Sequence, residues 1–174
     1  MASSDELFDV DEEESAGDDD APAADAVSLL SADHAEVKQM FENYRQLVDE
    51  NADDEQRGEL ARHICAELGV HAEIEEEIFY PSMRESIDAD LILDEAEVEH
   101  AAAKDLIEQI EDMDPGDALF DAKVLVLGEY IDHHVQEEEN EIFPLAEKSG
   151  LDLDELGAEL ASRKRELMAT LADE

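Results

Sequence analysis

Two phrases of the chain repeat one arrangement of metal-binding side chains. HAEIEEEIFYP (His71 to Pro81) and HVQEEENEIFP (His134 to Pro144) both open on His, carry Glu at the fifth and sixth places, and close on Pro. The paired acids are Glu75 and Glu76 in the first phrase, Glu138 and Glu139 in the second. On a helix, His and the first Glu lie about 40° apart and one turn along, so both can serve one site. An imidazole nitrogen beside a carboxylate oxygen suits iron or manganese. Histidines directly after an acid also occur in the other segments, His34 after Asp33 and His100 after Glu99.

Helices must position these groups. Few Gly (7) and Pro (4), no Trp, and abundant Ala, Leu and Glu predict an all-α chain. Four long helices are expected, over Ser28 to Glu50, Asp54 to Tyr80, Asp90 to Met113 and Asp117 to Glu147. The polar run NADD, the run SIDAD and the DPG at Asp114 to Gly116 separate them, and Gly150 is a plausible stop. Short connections between long helices imply an antiparallel, up-down four-helix bundle. LDELGAELASRKRELMATL adds an amphipathic C-terminal helix.

Apolar seams at alternating 4,3 spacing run along each helix. The first reads Leu30, His34, Val37, Phe41, Tyr44, Val48, and the second Leu60, Ile64, Leu68, His71, Glu75, Ile78. The third reads Leu93, Ala96, His100, Ala103, Ile107, Ile110. The fourth reads Phe120, Val124, Leu127, Ile131, His134, Glu138, Ile142. One histidine interrupts every seam where a core residue is due. Residues equidistant from a turn sit side by side in an antiparallel bundle. The midpoints of His34 with His71 and of Glu75 with His100 fall inside breaks, and that of His100 with His134 falls at the edge of the DPG break. Four imidazoles and two carboxylates are therefore expected in one layer of the core.

Such a layer needs a counter-charge, because an unpaired carboxylate buried among helices costs several kcal/mol. Protonation, His–Glu ion pairs or a polar layer that only fixes helix register would each relieve part of this. Two divalent cations account for the whole set. With both glutamates shared, each ion receives two nitrogens and two oxygens, and open positions remain on a six-coordinate metal. That favours iron, with manganese second, over a closed tetrahedral zinc site.

These residues resemble the hemerythrin-like HHE cation-binding domain, over roughly Ser28 to Lys148. The resemblance rests on the paired H-x₃-E…P phrases with the Asp33-His34 and Glu99-His100 pairs. It implies a four-helix bundle around a non-haem di-iron centre. His34, His71, His100 and His134 would be terminal ligands, and Glu75 and Glu138 the bridges. The oxygen-carrying hemerythrins have a fifth histidine four residues after the third-helix one, where this chain has Lys104. In that respect the chain is more similar to iron-centre repair proteins, although their usual N-terminal cysteine pair is missing from its tail. The implied role is a soluble protein that binds or senses iron, dioxygen or nitric oxide. An enzyme removing nitric oxide or peroxide, and an iron donor for damaged centres, are the alternatives.

Charge bounds the partners. There are 53 acidic residues against 11 basic, a net −42, which argues against nucleic acids and anionic membranes. Residues 1–27 carry 11 of the acids and no base, and read as a disordered tail without the features of a signal peptide. Removing those acids from −42 leaves −31 on a chain with strong apolar periodicity. A folded, uniformly acidic domain fits a salt-rich cytoplasm, hence a halophilic source. The expected organisation is a tail over 1–27, the bundle over 28–148 and the C-terminal helix over 149–174. The lone Cys65 excludes an internal disulfide and reads as a small core residue.

The remaining candidates have plainer readings. His133 points off the seam, and Pro144, ten residues after His134, marks His134 as the repeat of His71. His63 lies at the seam's edge and reads as a surface residue. Glu73, Glu76, Glu77, Glu137, Glu139 and Glu141 read as solvated faces, with Glu76, Glu139 and Glu99 as conceivable partners of the ligands. Tyr130, one turn before His134, reads as packing or as a pocket donor. Pro81 and Pro144 read as kinks or helix ends.

Overall fold

The structure, a computed structural model, describes residues 24–172; of the tail expected over 1–27, residues 1–23 lie outside them, and Ala26 and Val27 already belong to a helix. Helix α1 spans Ala26–Asp49 and α2 Asp54–Ile74. A π-helical turn, Glu75–Phe79, leads into the short α3, Tyr80–Ser86. Helix α4 spans Asp90–Glu111 and α5 Phe120–Glu137. A second π-helical turn, Glu138–Ile142, leads into α6, Phe143–Lys148, and α7 spans Leu153–Ala172. None of these helices is long and apolar enough to cross a membrane.

Helix starts follow local chemistry. The Asp25 carboxylate accepts the Ser28 N–H at 2.8 Å, and Asp53 accepts that of Gln56 at 2.9 Å. Each satisfies a backbone donor that the first turn would otherwise leave unpaired, typically worth about 1 kcal/mol. The first helix therefore begins two residues before Ser28. The fourth begins at Phe120 and not at Asp117, because Leu119 takes a left-handed conformation (φ 75°) that no α-helix continues.

The two expected helices through the repeated phrases are each interrupted. The Tyr80 N–H bonds to the Glu75 carbonyl and the Phe143 N–H to that of Glu138, both five residues back. Pro81 and Pro144 follow immediately. Proline has no N–H to give and its ring crowds the carbonyl four residues back, so the ladder widens by one residue ahead of it. The prolines neither end nor simply kink these helices; each seals a wide turn that starts on a seam glutamate.

Helices α1, α2, α4 and α5 pack in a cycle of neighbours, running up, down, up and down. Their seams bury two separate apolar clusters. One holds Leu30, Ile74, Phe79, Tyr80, Met83, Leu93, Ile142 and Phe143. The other holds Val37, Met40, Tyr44, Ile64, Leu68, Ile107, Val124 and Leu127. Each large aliphatic side chain removed from water contributes roughly 1.5–3 kcal/mol, so both clusters hold the layer between them. Cys65 lies in the second cluster; burial and Glu111 push its thiol up to about 12.

Helix α7 lies across α1 and α2. Gly157 admits the close crossing: a Cβ there would sit 2.3 Å from the Ala24 carbonyl oxygen. Arg163 holds both Glu77 oxygens at 2.7 and 3.1 Å, and Lys164 bonds to Asp33 at 2.8 Å. At the opposite end Arg57 joins Asp54 to Asp121, and the Tyr44 hydroxyl donates to Asp121 at 2.7 Å.

Candidate metal centre

Between the two apolar clusters lie His34, His71, Glu75, His100, His134 and Glu138, all buried and both glutamates fully so. The helices bring the six expected residues into one layer. The donors fall into two groups. His34 Nε2 is 3.1 Å from His71 Nε2, and His100 Nε2 is 3.0 Å from His134 Nε2. Glu75 lies between the groups, with Oε1 3.2 Å from His71 and Oε2 3.3 Å from His100. Glu138 Oε2 is 3.2 Å from His34 and 3.4 Å from His134.

These separations match donors around an ion. Bonds of about 2.1 Å set at right angles separate neighbouring ligand atoms by about 3.0 Å. Two neutral imidazoles with Nε2 lone pairs face to face repel unless a proton or a metal lies between them. Both Glu75 oxygens and Glu138 Oε2 are buried without any hydrogen-bond partner, a costly state for a carboxylate that nothing else satisfies. The donor set therefore fits one cation among His34, His71, Glu75 and Glu138, and a second beside Glu75, His100 and His134.

An outer ring of carboxylates fixes the imidazoles. His34 Nδ1 meets Glu139 at 3.1 Å, His71 Nδ1 meets Asp33 at 3.2 Å, His100 Nδ1 meets Glu76 at 2.9 Å, and His134 Nδ1 meets Glu99 at 2.7 Å. An Nδ1–H donating outward leaves each Nε2 lone pair aimed inward, the tautomer a metal ligand needs. Lys164 supports Asp33, and Lys104 holds both Glu76 oxygens at 2.8 and 2.7 Å. Lys104, at the position of the oxygen carriers' fifth histidine, thus pairs with the ring and stays out of the donor set.

The electrostatics follow from burial against these contacts. Burial pushes the Glu75 carboxyl up, but His71 and His100 outweigh it and hold it well below the usual range. Burial likewise disfavours the charged His71; Glu75 and Asp33 outweigh that and raise it to about 10. His100 is raised to about 9 by Glu75 and Glu76 against the same penalty.

Tyr80 is the inner residue that the seam did not reveal. Its hydroxyl donates to Glu138 Oε1 at 2.6 Å and lies 3.4 Å from His100 Nε2, while its ring stacks on His100. Burial, then Glu75 and Glu138, keep its proton on far above the ordinary range. Phe143, its counterpart in the second phrase, stacks on His34 without a hydroxyl. Tyr130, the tyrosine expected near the pocket, is 52% exposed and away from the layer.

Other candidates fall outside. His133 is exposed, 3.6 Å from Glu99 and 3.4 Å from Glu137, and His63 is exposed, 3.7 Å from Glu67. Glu73 and Glu77 pair with Arg163. Glu76 and Glu139, read first as solvated acids with partnering of the ligands as the alternative, and Glu99, given the same alternative, supply three of the four outer carboxylates.

On the side of the layer away from the glutamates is a cavity of about 20 Å³. All four histidines line it, with Val37, Leu68, Ala103, Ile107, Ile131 and Val135. That is room for one water-sized or diatomic molecule.

Comparison with known proteins agrees with the geometry. The hemerythrin HHE cation binding domain matches residues 25–146. A crystal structure of a hemerythrin HHE cation binding domain-containing protein from Mycobacterium kansasii, an Rv2633c homolog, superposes with a TM-score of 0.71. The superposition covers 84% of this chain and 89% of that one at 20% identity, a likeness of fold. A Nostoc sp. protein named DNA nickase is 30% identical over 115 residues, 66% of this chain. This chain spans only 31% of that relative's length. By the domain match, with two His/Glu donor groups at its centre, the chain belongs to the hemerythrin HHE cation-binding family.

Proposed function

We propose that the layer holds two iron ions and that the loaded protein binds or senses a small ligand, dioxygen or nitric oxide. His34 and His71 would hold one ion, His100 and His134 the other, with Glu75 and Glu138 shared. The observation that carries this reading is the pairing of partnerless buried carboxylates with an apolar cavity lined by all four imidazoles. Iron there would supply a reducible pair with open positions. The residues do the rest: the outer carboxylates orient the imidazoles, the apolar wall excludes bulk water, and Tyr80 keeps a proton on its hydroxyl at Glu138.

Purified protein should carry two irons per chain, counted by elemental analysis. His71→Ala and Glu138→Ala should each lower that content, while His133→Ala should spare it. Unchanged iron in both ligand variants would end the assignment. The reduced, loaded protein should change its absorption spectrum once, stoichiometrically, with nitric oxide or dioxygen.

A second reading, removal of nitric oxide or peroxide, draws support from the Tyr80 hydroxyl, a buried proton donor beside the layer. Many turnovers in place of one spectral change would establish it. DNA nicking is not part of the proposal, since a net −42 offers a polyanion little to bind.

A further inference from the structure

The inner cavity is small, and its boundaries differ in how easily they move. Towards α7 it is bounded by Asp33, which is pinned between Lys164 and His71 at 2.8 and 3.2 Å. Between α2 and α4 it is bounded by Lys104, held on both oxygens of Glu76. Opening either way would break charged hydrogen bonds. Towards α1 and α5 the boundary is Ile131 and Val135, side chains with no bond to break.

Beyond that boundary lies a groove of about 230 Å³ between α1 and α5. It shares His34, Ile131 and Val135 with the inner cavity, so the two are divided by one imidazole and two apolar side chains. Phe41 lies along the groove against Gly128, where an added Cβ would stand 2.9 Å from its ring. The lining also carries Lys38 and Arg45. Neither has a carboxylate within 4.0 Å among the described residues, although Glu42, Glu129 and Asp132 line the same groove. On a surface otherwise dense in acids, two uncommitted cations reduce the repulsion a small anion would meet.

We propose that the groove between α1 and α5 is the route by which small uncharged or singly anionic molecules reach the metal layer, with Ile131 and Val135 as its inner gate. Molecules taking this route arrive beside His34. The proposal rests on the reading that the centre takes a small ligand. It adds where that molecule passes and which side chains set the rate.

The test uses the iron-loaded full chain, with nitric oxide as the neutral probe and azide as the anion, mixed in a stopped-flow instrument. Ile131→Trp, which fills the gate, should slow association of both probes by at least about tenfold, with iron content unchanged. Gly128→Val should slow them from the outer side and Phe41→Ala should speed them, so the test survives if Ile131→Trp folds poorly. Lys38→Ala with Arg45→Ala should slow azide and leave nitric oxide alone; unchanged azide rates would remove anions from the proposal. In the metal-free protein, dissolved xenon should shift the methyl signals of Val37, Ile131 and Val135, and Ile131→Trp should abolish those shifts. Wild-type protein that binds neither probe would refute the functional reading and the route with it. Wild-type binding with equal rates in every gate and groove variant would overturn the route alone.

Discussion

At the scale of single residues, the outer carboxylates decide how well the layer can hold metal. Asp33 is the clearest case, because it accepts from His71 Nδ1 on one side and from Lys164 on the other. Asp33→Asn keeps the shape but removes the charge that favours an inward-facing Nε2. It should weaken binding of a metal at the proposed site beside His71 by about 10–100-fold, read by competition with a chelator. Equal affinity in wild type and variant would dismiss Asp33 as a mere surface pair of α7. The six inner donors were legible because each stands where an apolar seam residue was due. Glu76, Glu99 and Glu139 were legible only as an alternative: Glu76 and Glu139 recur in both phrases, but among 53 acids the sequence does not otherwise separate a carboxylate bonded to Nδ1 from one in water. Tyr80 was hidden for another reason. The widened turn after Glu75 shifts the phase by one residue, so the expected seam position Ile78 is half-buried while Phe79 and Tyr80 are fully buried.

At the scale of elements, the breaks NADD, SIDAD and DPG placed four rods, and the equal distances of the histidines from those breaks placed the layer. Periodicity could not foretell the π turns, because inserting one residue of slack leaves the count from His71 to Pro81 unchanged. Nor could it say where α7 docks. That docking depends on Gly157, where a side chain would strike the backbone of Ala24, Asp25 and Ala26. Backbone yields less readily than a flexible side chain. Gly157→Ala should therefore destabilise the fold by about 1–3 kcal/mol, seen as a lower melting temperature. A variant melting with wild type would mean that α7 crosses α1 less closely than described.

For the whole molecule, the decisive quantity is charge. Cations are few and heavily shared: Arg84 reaches Asp90, Asp94 and Glu97, and Arg163 reaches Glu73, Glu77 and Glu166. Exposed pairs of this kind contribute roughly 0–1 kcal/mol each, while a chain of net charge −42 repels itself. Raising salt from about 0.1 to 1 M shortens the screening length from about 10 to 3 Å. Relief of repulsion should outweigh the loss of pairs, so the melting temperature should climb across that range. A flat or falling curve would count against a salt-adapted chain. The ring of acids around the imidazoles has a consequence of its own. Because each imidazole is steered from behind by a carboxylate of its own polypeptide, the orientation of the four rings is set from outside the layer.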